Sequence, residues 1–336
     1  MKVTVEASAR LHLGFYNFLE DNIVYGSIGI SIEVPKVIVT ASPSEGSSLT
    51  VLNKTNIDAD DVVNNVIKRV HNSLNIEIPG LKISIVEAIP RHAGLGSTTQ
   101  MSLAIGMAIM KLLNKPIKVR ELAVMLGRGR DSGIGIAAFE HGGFIIDSGR
   151  RLPPNAIFVE PPKNINDLPY PIFRAKVPND WLFLIFIPKQ RKGLDETSER
   201  KVMDVPSPVP RELKYELYKL LLLYLMPSIT MNDIKAFGRT ITKLQVLVGQ
   251  YFSKYQGGTY CCDETEFVIN SLLKHGAYGA GQSSWGPTAY GIVKGQKQAA
   301  KLLTNVRKDI EKKGYDMVYF ITKAQNKGAL IKVSSS

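Results

Sequence analysis

The 336-residue sequence predicts an α+β protein of two lobes that share one cleft. Three observations predict it. Residues 2–13 alternate apolar and polar side chains, the period of a half-buried strand. Residues 81–89 form a second strand-like run that passes through a Gly-rich turn into residues 98–113, a continuously apolar stretch long enough for a buried helix. Residues 150–180 are rich in Pro, Asn and Asp, and they separate a first domain, 1–150, from a second, 175–333.

The remaining elements follow in order. Residues 28–41 read as a strand, and Pro43, Ser44, Gly46 and Ser47 as a turn. Residues 58–74 have helical spacing, with Asp58 or Asp60 placed as N-cap. Asn114-Lys115-Pro116 ends the apolar helix, and 119–127 make a short one. Residues 135–147 begin with small residues and become strand-like after Gly142-Gly143, and Glu140 reads as lying between apolar residues in a strand-like run. A carboxylate there needs a partner or a purpose. Residues 181–187 read as a buried strand, and the charged, Pro-rich 188–210 as a mobile loop over the cleft. Helices are expected at 211–226 and 231–250. Within them the apolar run Leu220–Met226, ended by Pro227, is too short for a membrane span and reads as a buried helix. The Gly- and Ser-rich segment 276–293 ends as a strand, 295–313 is an amphipathic helix and 315–322 a last strand.

Composition narrows the function classes. The formal net charge of +12 favours polyanionic partners: nucleic acid, an anionic membrane or phosphorylated substrates. The cations are spread along the chain, with no arginine-rich arm, aromatic RNA-binding pattern or zinc-finger spacing, so nucleic acid is not the expected partner. The two cysteines, Cys261 and Cys262, are adjacent. That excludes a disulfide framework and suits two reduced thiols in the cytoplasm. The N-terminus lacks the apolar region of a signal peptide.

The segment Pro90-Arg91-His92-Ala93-Gly94-Leu95-Gly96-Ser97-Thr98-Thr99-Gln100 carries the first chemical signal. Glycines let backbone N–H groups approach an anion, and the following helix adds unpaired N–H groups and a positive dipole end. Ser97, Thr98 and Thr99 add hydroxyl donors, although Ser97 at an ordinary turn would simply be an N-cap. No Gly-Lys-Ser/Thr follows, so this is not the Walker loop, nor is it the dinucleotide pattern.

This loop resembles the phosphate-binding motif of the GHMP kinases, Pro-x-x-x-Gly-Leu-Gly-Ser-Ser-Ala. Ala9-Arg10-Leu11-His12-Leu13-Gly14 is similar to the N-terminal signature strand of that superfamily. Gly279-Ala280-Gly281-Gln282-Ser283-Ser284-Trp285-Gly286 is similar to its C-terminal Gly-rich signature. The resemblance implies the GHMP-kinase fold: an N-terminal ribosomal-protein-S5-domain-2-like lobe plus a C-terminal ferredoxin-like α/β lobe. It also implies a homodimer.

One position departs from the kinases. Mevalonate-type kinases carry Ser-Gly-Val-Asp-Asn-Ala before a Gly-Gly pair, and the aspartate is thought to activate the substrate hydroxyl. Here the matching residues are Ser132-Gly133-Ile134-Gly135-Ile136-Ala137 before Gly142-Gly143, so the aspartate position is Gly135. Glycine cannot act as a base. An ATP-dependent small-molecule kinase therefore stands as an alternative, and a non-catalytic phospholigand or nucleic-acid binder as a second.

The stretch Gly127-Arg128-Gly129-Arg130-Asp131-Ser132, with Arg10, His12, Arg91-His92, Gln100 and Glu140, resembles one branch of the superfamily more closely. That branch is the β-ribofuranosylaminobenzene 5′-phosphate synthases, archaeal enzymes of methanopterin-type cofactor biosynthesis. They transfer the phosphoribosyl group of 5-phosphoribosyl diphosphate to 4-aminobenzoate or 4-hydroxybenzoate. Diphosphate and carbon dioxide leave, and a C-riboside forms. Such a site needs cations and N–H dipoles on the departing diphosphate, magnesium bridging its oxygens, a carboxylate anchor and a wall for the ring.

What the resemblance implies can be carried over residue by residue. Gly94, Leu95, Gly96, Ser97, Thr98, Thr99 and Gln100 fall to the diphosphate, with Arg128, Arg130 and Ser132 on phosphate. Arg10 and His12 fall to the benzoate carboxylate. Asp131, Glu140 or Asp147 would hold Mg2+, unless Glu140 stabilises the cationic centre or Asp147 merely closes a turn with Ser148 and Gly149. Gly281, Gln282, Ser283, Ser284 and Trp285 would close the site, with Trp285 either against the ring or in the core. His92 and His141 lack metal-ligand spacing. The paired-acid loop of common phosphoribosyltransferases is absent, since Asp60-Asp61 falls at a helix start.

Overall fold

A computed structural model describes residues 1–44, 46, 49–75, 80–154, 156, 158–191, 193, 196–204 and 208–335. Ser47 of the expected turn and parts of 188–210 lie outside the described residues.

The alternation of the N-terminus becomes the strand Lys2–Phe15, in which Val3, Val5, Ala7, Ala9, Leu11 and Leu13 are buried on one face. It pairs antiparallel with Ser27–Pro43. Register shifts fall between Ser8 and Arg10 and between His12 and Gly14, so irregularities flank the Arg10–His12 segment on both sides. Bulges of this kind re-aim side chains. The sheet continues through Leu81–Glu87 to Leu49–Asn53, while Phe144–Asp147 pairs with Ile28–Ile30 and carries Pro171–Ala175 beyond it. The helix Ser97–Leu112 lies across this sheet and is buried from Gln100 to Met110, the environment its continuous apolar run demands.

The second lobe has a four-stranded antiparallel sheet in the order Gly279–Gln282, Ala289–Lys294, Trp181–Pro188, Met317–Lys323. The helices Ile234–Gln256, Asp263–Lys274 and Gln296–Lys313 accompany it. The expected α+β architecture of two lobes is observed. The last strand, Leu330–Ser334, returns to pair with Lys2–Glu6. The first sheet thus takes strands from the connecting segment, Pro171–Ala175, and from the C-terminal Leu330–Ser334.

Several expectations are corrected. The N-cap of the helix Asp60–Leu74 is Ala59, and Asp58 instead accepts the Asp60 N–H one step earlier at 3.1 Å. Residues Ile134–Glu140 are helical, so Glu140 ends a helix rather than lying in a strand. Within 188–210, Glu196–Met203 is a helix. The run after Leu220 is a π-helical turn, Leu220–Leu225, that buries Leu220, Leu221 and Leu225 but exposes Leu222, Leu223 and Tyr224. Among the described residues no helix is long and apolar enough to cross a membrane.

Candidate active site

The N-terminal signature strand, the Gly-rich loop and the C-terminal Gly-rich segment converge at one cleft of about 1480 Å³. The strand Leu81–Glu87 leads into it, and Ile89, Ala93 and Leu95 are buried, anchoring the loop from below. Gly94 and Gly96 have φ of +75° and +80°, backbone that a side chain would strain. Gly96 rather than Ser97 is the N-cap, and no side chain caps the helix there. The first helical bond runs from the Gln100 N–H to the Gly96 carbonyl, 3.0 Å. The amides of Ser97, Thr98 and Thr99 precede it, and all three residues line the cleft.

The C-terminal segment is bolted to this loop. Ser283 Oγ accepts the His12 N–H at 3.0 Å and donates to the Gly94 carbonyl at 2.7 Å. Arg10 Nη1 also donates to the Gly94 carbonyl, at 2.5 Å, and its side chain lies along Gly96. The Ser284 N–H donates to the His12 carbonyl at 3.1 Å, and Thr288 Oγ1 to the Ala93 carbonyl at 2.6 Å. Five expected ligand residues are tied into the scaffold and do not line this cleft, although Gln282 lines a smaller hollow beside it. Leu95 is core, and Gln100 Nε2 donates to the Gly135 carbonyl at 2.7 Å. Ser283 is the splice just described, while Gly281 is pressed against Gln245 and Tyr290. Gln282 Oε1 accepts the Cys261 N–H at 2.7 Å.

The two expected arginines separate. Arg128 lines the cleft, with Nη2 3.2 Å from Thr99 Oγ1. Arg130 turns away to Asp204, at 2.6 Å, and to the Val159 carbonyl, at 2.5 Å, and does not line the cleft. Asp131 and Ser132 line the cleft, and Asp131 is paired with Arg200 through two oxygens. Arg91 likewise pairs with Asp61, at 2.6 and 2.7 Å, and both residues line the cleft. Gly135 also faces the cleft, and a Cβ there would stand 3.0 Å from Thr99 Cγ2. Thr99, which Arg128 contacts, thus crowds this position.

Two expected acidic roles fail. Asp147 is fully buried and accepts the backbone N–H groups of Ser27, Gly133 and Gly149 at 2.8–2.9 Å. Burial pushes its carboxyl up to about 7, against the pull of those bonds. It closes the turn and holds the Gly133 N–H, and it does not line the cleft. Glu140 lies five residues along the helix from Gly135, about 7.5 Å down its axis, with its carboxylate 3.4 Å from His141 Nε2. Among the described residues, no group of three His, Cys, Asp or Glu side chains comes together as a metal cage.

A smaller hollow of about 410 Å³ opens beside the cleft. Phe15, Phe252 and Trp285 form its aromatic walls, with Phe252 and Trp285 edge-to-face at 4.7 Å. Gln245, Gln256, Thr259, Tyr260, Gln282 and Ser284 are among its polar groups, and it is lined by no Lys, Arg, Asp or Glu among the described residues. His12 lines both spaces. Its Nε2 is buried with no hydrogen-bond partner. Burial, then the charge of Arg10, push its pKa down to about 3. His12 is therefore neutral. Its stabilising effect is complete above pH 6.5 and fades as pH falls toward 3, because the unfolded histidine takes up a proton first. The NMR signal of the His12 ring is expected to stay at its neutral position from about pH 8 to about pH 5. A midpoint near that of free histidine would contradict this burial.

Sequence reading missed Arg200, Asp61, Phe15 and Phe252. Arg200 lay in a charged, Pro-rich stretch with no motif, and Phe252 fits the apolar stripe of an amphipathic helix, which reads as core.

Residues 61–143 match the family described as GHMP kinases N terminal domain, and residues 222–312 that described as GHMP kinases C terminal. The chain is 33% identical over 345 positions to the β-ribofuranosylphenol 5′-phosphate synthase of Methanocaldococcus jannaschii, covering 96% of this chain and 98% of that one. It is 30% identical to the enzyme of the same name from Archaeoglobus fulgidus, over 92% of this chain and 93% of the relative. Among solved structures, a homoserine kinase from Cytophaga hutchinsonii superposes with a TM-score of 0.70 at 18% identity, over 98% and 97% of the two chains. That likeness is one of fold.

Proposed function

The chain belongs to the family of β-ribofuranosylphenol 5′-phosphate synthases, built on the GHMP-kinase fold, and we propose on that premise that it catalyses decarboxylating phosphoribosyl transfer. It is a pentosyltransferase of methanopterin-type cofactor biosynthesis, acting in the cytoplasm. The donor is 5-phosphoribosyl diphosphate. The relatives' name specifies a phenol product, so the acceptor is 4-hydroxybenzoate rather than 4-aminobenzoate. The observation that carries this reading is the pairing of an N–H-rich anion cradle with an uncharged aromatic hollow.

The cradle amides of Ser97 to Thr99 and the guanidinium of Arg128 take the charge of the departing diphosphate. The benzoate ring enters between Phe15, Phe252 and Trp285. Its carboxylate end lies toward Arg10, and its hydroxyl toward the neutral groups of the hollow. Neutral His12, with Nε2 unsatisfied, can hydrogen-bond the acceptor without repelling the cationic ribose centre. The ring carbon bearing the carboxylate bonds to the anomeric carbon as the bond to diphosphate breaks. Loss of carbon dioxide then returns its electron pair to the ring.

The donor set suits magnesium that arrives on the diphosphate rather than a resident ion. Asp131 and Asp61 are the carboxylates at the cleft, each already paired with an arginine, and Ser97 and Thr98 add hydroxyls. Magnesium is commonly held by one or two carboxylates plus substrate phosphates. When bound it would neutralise oxygens of the leaving diphosphate. A homodimer belongs to the same reading. ATP phosphotransfer is disfavoured because Gly135 offers no base and Thr99 crowds that position.

Incubation with 5-phosphoribosyl diphosphate and carboxyl-labelled 4-hydroxybenzoate is expected to release labelled carbon dioxide and diphosphate in equal amounts. No release with either benzoate, or ADP formation from ATP with a small alcohol, would overturn the proposal.

A further inference from the structure

The adjacent thiols sit where the C-terminal Gly-rich segment meets the aromatic hollow. Cys261 and Cys262 follow Thr259 and Tyr260 of its lining and precede the helix Asp263–Lys274. Their Sγ atoms are 3.2 Å apart, and both residues are half-buried. Cys261 Sγ lies only 2.6 Å from where a Cβ on Gly286 would stand, and the Cys261 N–H holds Gln282 Oε1. Thr265 Oγ1 is 3.2 Å from Cys262 Sγ and donates to the Pro287 carbonyl at 2.7 Å. Each sulfur is therefore connected to Gln282–Pro287, the segment that carries Trp285 into the cleft and hollow.

We propose that Cys261 and Cys262 form a redox modification site for a low-molecular-weight disulfide, and that closing the bond between them weakens binding of the aromatic acceptor. The second half of the proposal rests on the synthase reading above. The Cys262 thiolate attacks one sulfur of the external disulfide, forming a mixed disulfide and releasing one thiolate, which takes up the proton of the Cys261 thiol. Cys261 then attacks Cys262 Sγ and expels the second thiolate. The external disulfide is reduced to two thiols and the cysteine pair is oxidised by two electrons. Roles follow the environment. Hydrogen bonding from Cys261 holds the Cys262 thiol down to about 6, while the same pairing raises Cys261. Glu264, which opposes a thiolate, is itself engaged by Arg191 at 2.9 Å. The two sulfurs must close from 3.2 Å to about 2.05 Å. That draws Cys261 away from Gly286 or pulls Gly286 with it, and Trp285 is the next residue.

Full-length protein treated with oxidised glutathione is expected to lose two hydrogens, located by mass spectrometry in the peptide holding both cysteines. The KM for the aromatic acceptor is expected to rise about fivefold or more, with donor KM within about twofold, and dithiothreitol should reverse both changes. Cys261→Ser is expected to accumulate glutathione on Cys262. Cys262→Ser is expected to stay unmodified and to keep its acceptor KM. Glutathione retained on both cysteines, no loss of hydrogens, or a closed disulfide with unchanged acceptor KM would overturn the proposal. The mass readout uses no substrate, so a chain without turnover would count against the synthase reading and leave the redox site to be judged by mass alone.

Discussion

Gly94→Ala is expected to abolish turnover and to lower stability by about 2–5 kcal/mol, from backbone strain plus overpacking. The Gly94 φ of +75° penalises any Cβ, and here the Cβ would run into the Ser283 carbonyl oxygen, with the Gly286 carbonyl 3.1 Å away. Neither neighbour can yield cheaply, because both are backbone. The Gly94 carbonyl also receives Arg10 and Ser283, so a displaced loop loses its hold on the N-terminal strand and the C-terminal segment together. Denaturant unfolding and steady-state rates measure the two effects. A variant with wild-type stability and rate would show that the three segments are not locked at this point.

Arg128→Met is expected to lower kcat/KM for the phosphoribosyl donor by about 10²- to 10³-fold, the loss of about 3–4 kcal/mol of transition-state stabilisation. Acceptor KM should move by less than about threefold, since Arg128 does not line the aromatic hollow. Arg128→Lys should recover part of the rate, because the charge returns without the planar fork. The neighbour gives the contrast. Arg130→Met should cost less than about fivefold in kcat/KM, with its main effect on stability, because Arg130 is spent on Asp204 and the Val159 carbonyl. Equal kinetic losses at the two positions would remove Arg128 from the phosphate site.

The division between these arginines shows where sequence reading stops. Spacing in Gly-Arg-Gly-Arg-Asp placed both near an anion, but two residues apart in an irregular turn they point to different partners. Asp147 followed the same course. An acidic residue between a strand and Ser148-Gly149 reads equally as ligand or turn, and only its complete burial under three N–H donors makes it a turn. Glu140 was misplaced because a seven-residue helix of small and β-branched residues has too little polar contrast to show its period. The last strand, Leu330–Ser334, is mostly exposed, and its partner Lys2–Glu6 is more than three hundred residues away in sequence, so no local pattern announces it.

By itself the sequence determined the features that depend on residue type and short-range order. These are the period of the first strand, the strand–Gly loop–helix cradle, the glycine in place of a catalytic aspartate, the two-lobe α+β plan and the three motifs that tie the chain to its superfamily. Tertiary structure decided what depends on distance between remote segments. It made Ser283 a bolt and left Ser284 and Trp285 at the opening, kept His12 neutral by burying it beside Arg10, and brought Arg200 to Asp131. It also set Phe252 against Trp285 as the wall of the hollow beside the cradle. The physical reason is that propensity and period act over a few residues, whereas burial, charge pairing and the shape of a cavity exist only once distant parts of the chain are packed together.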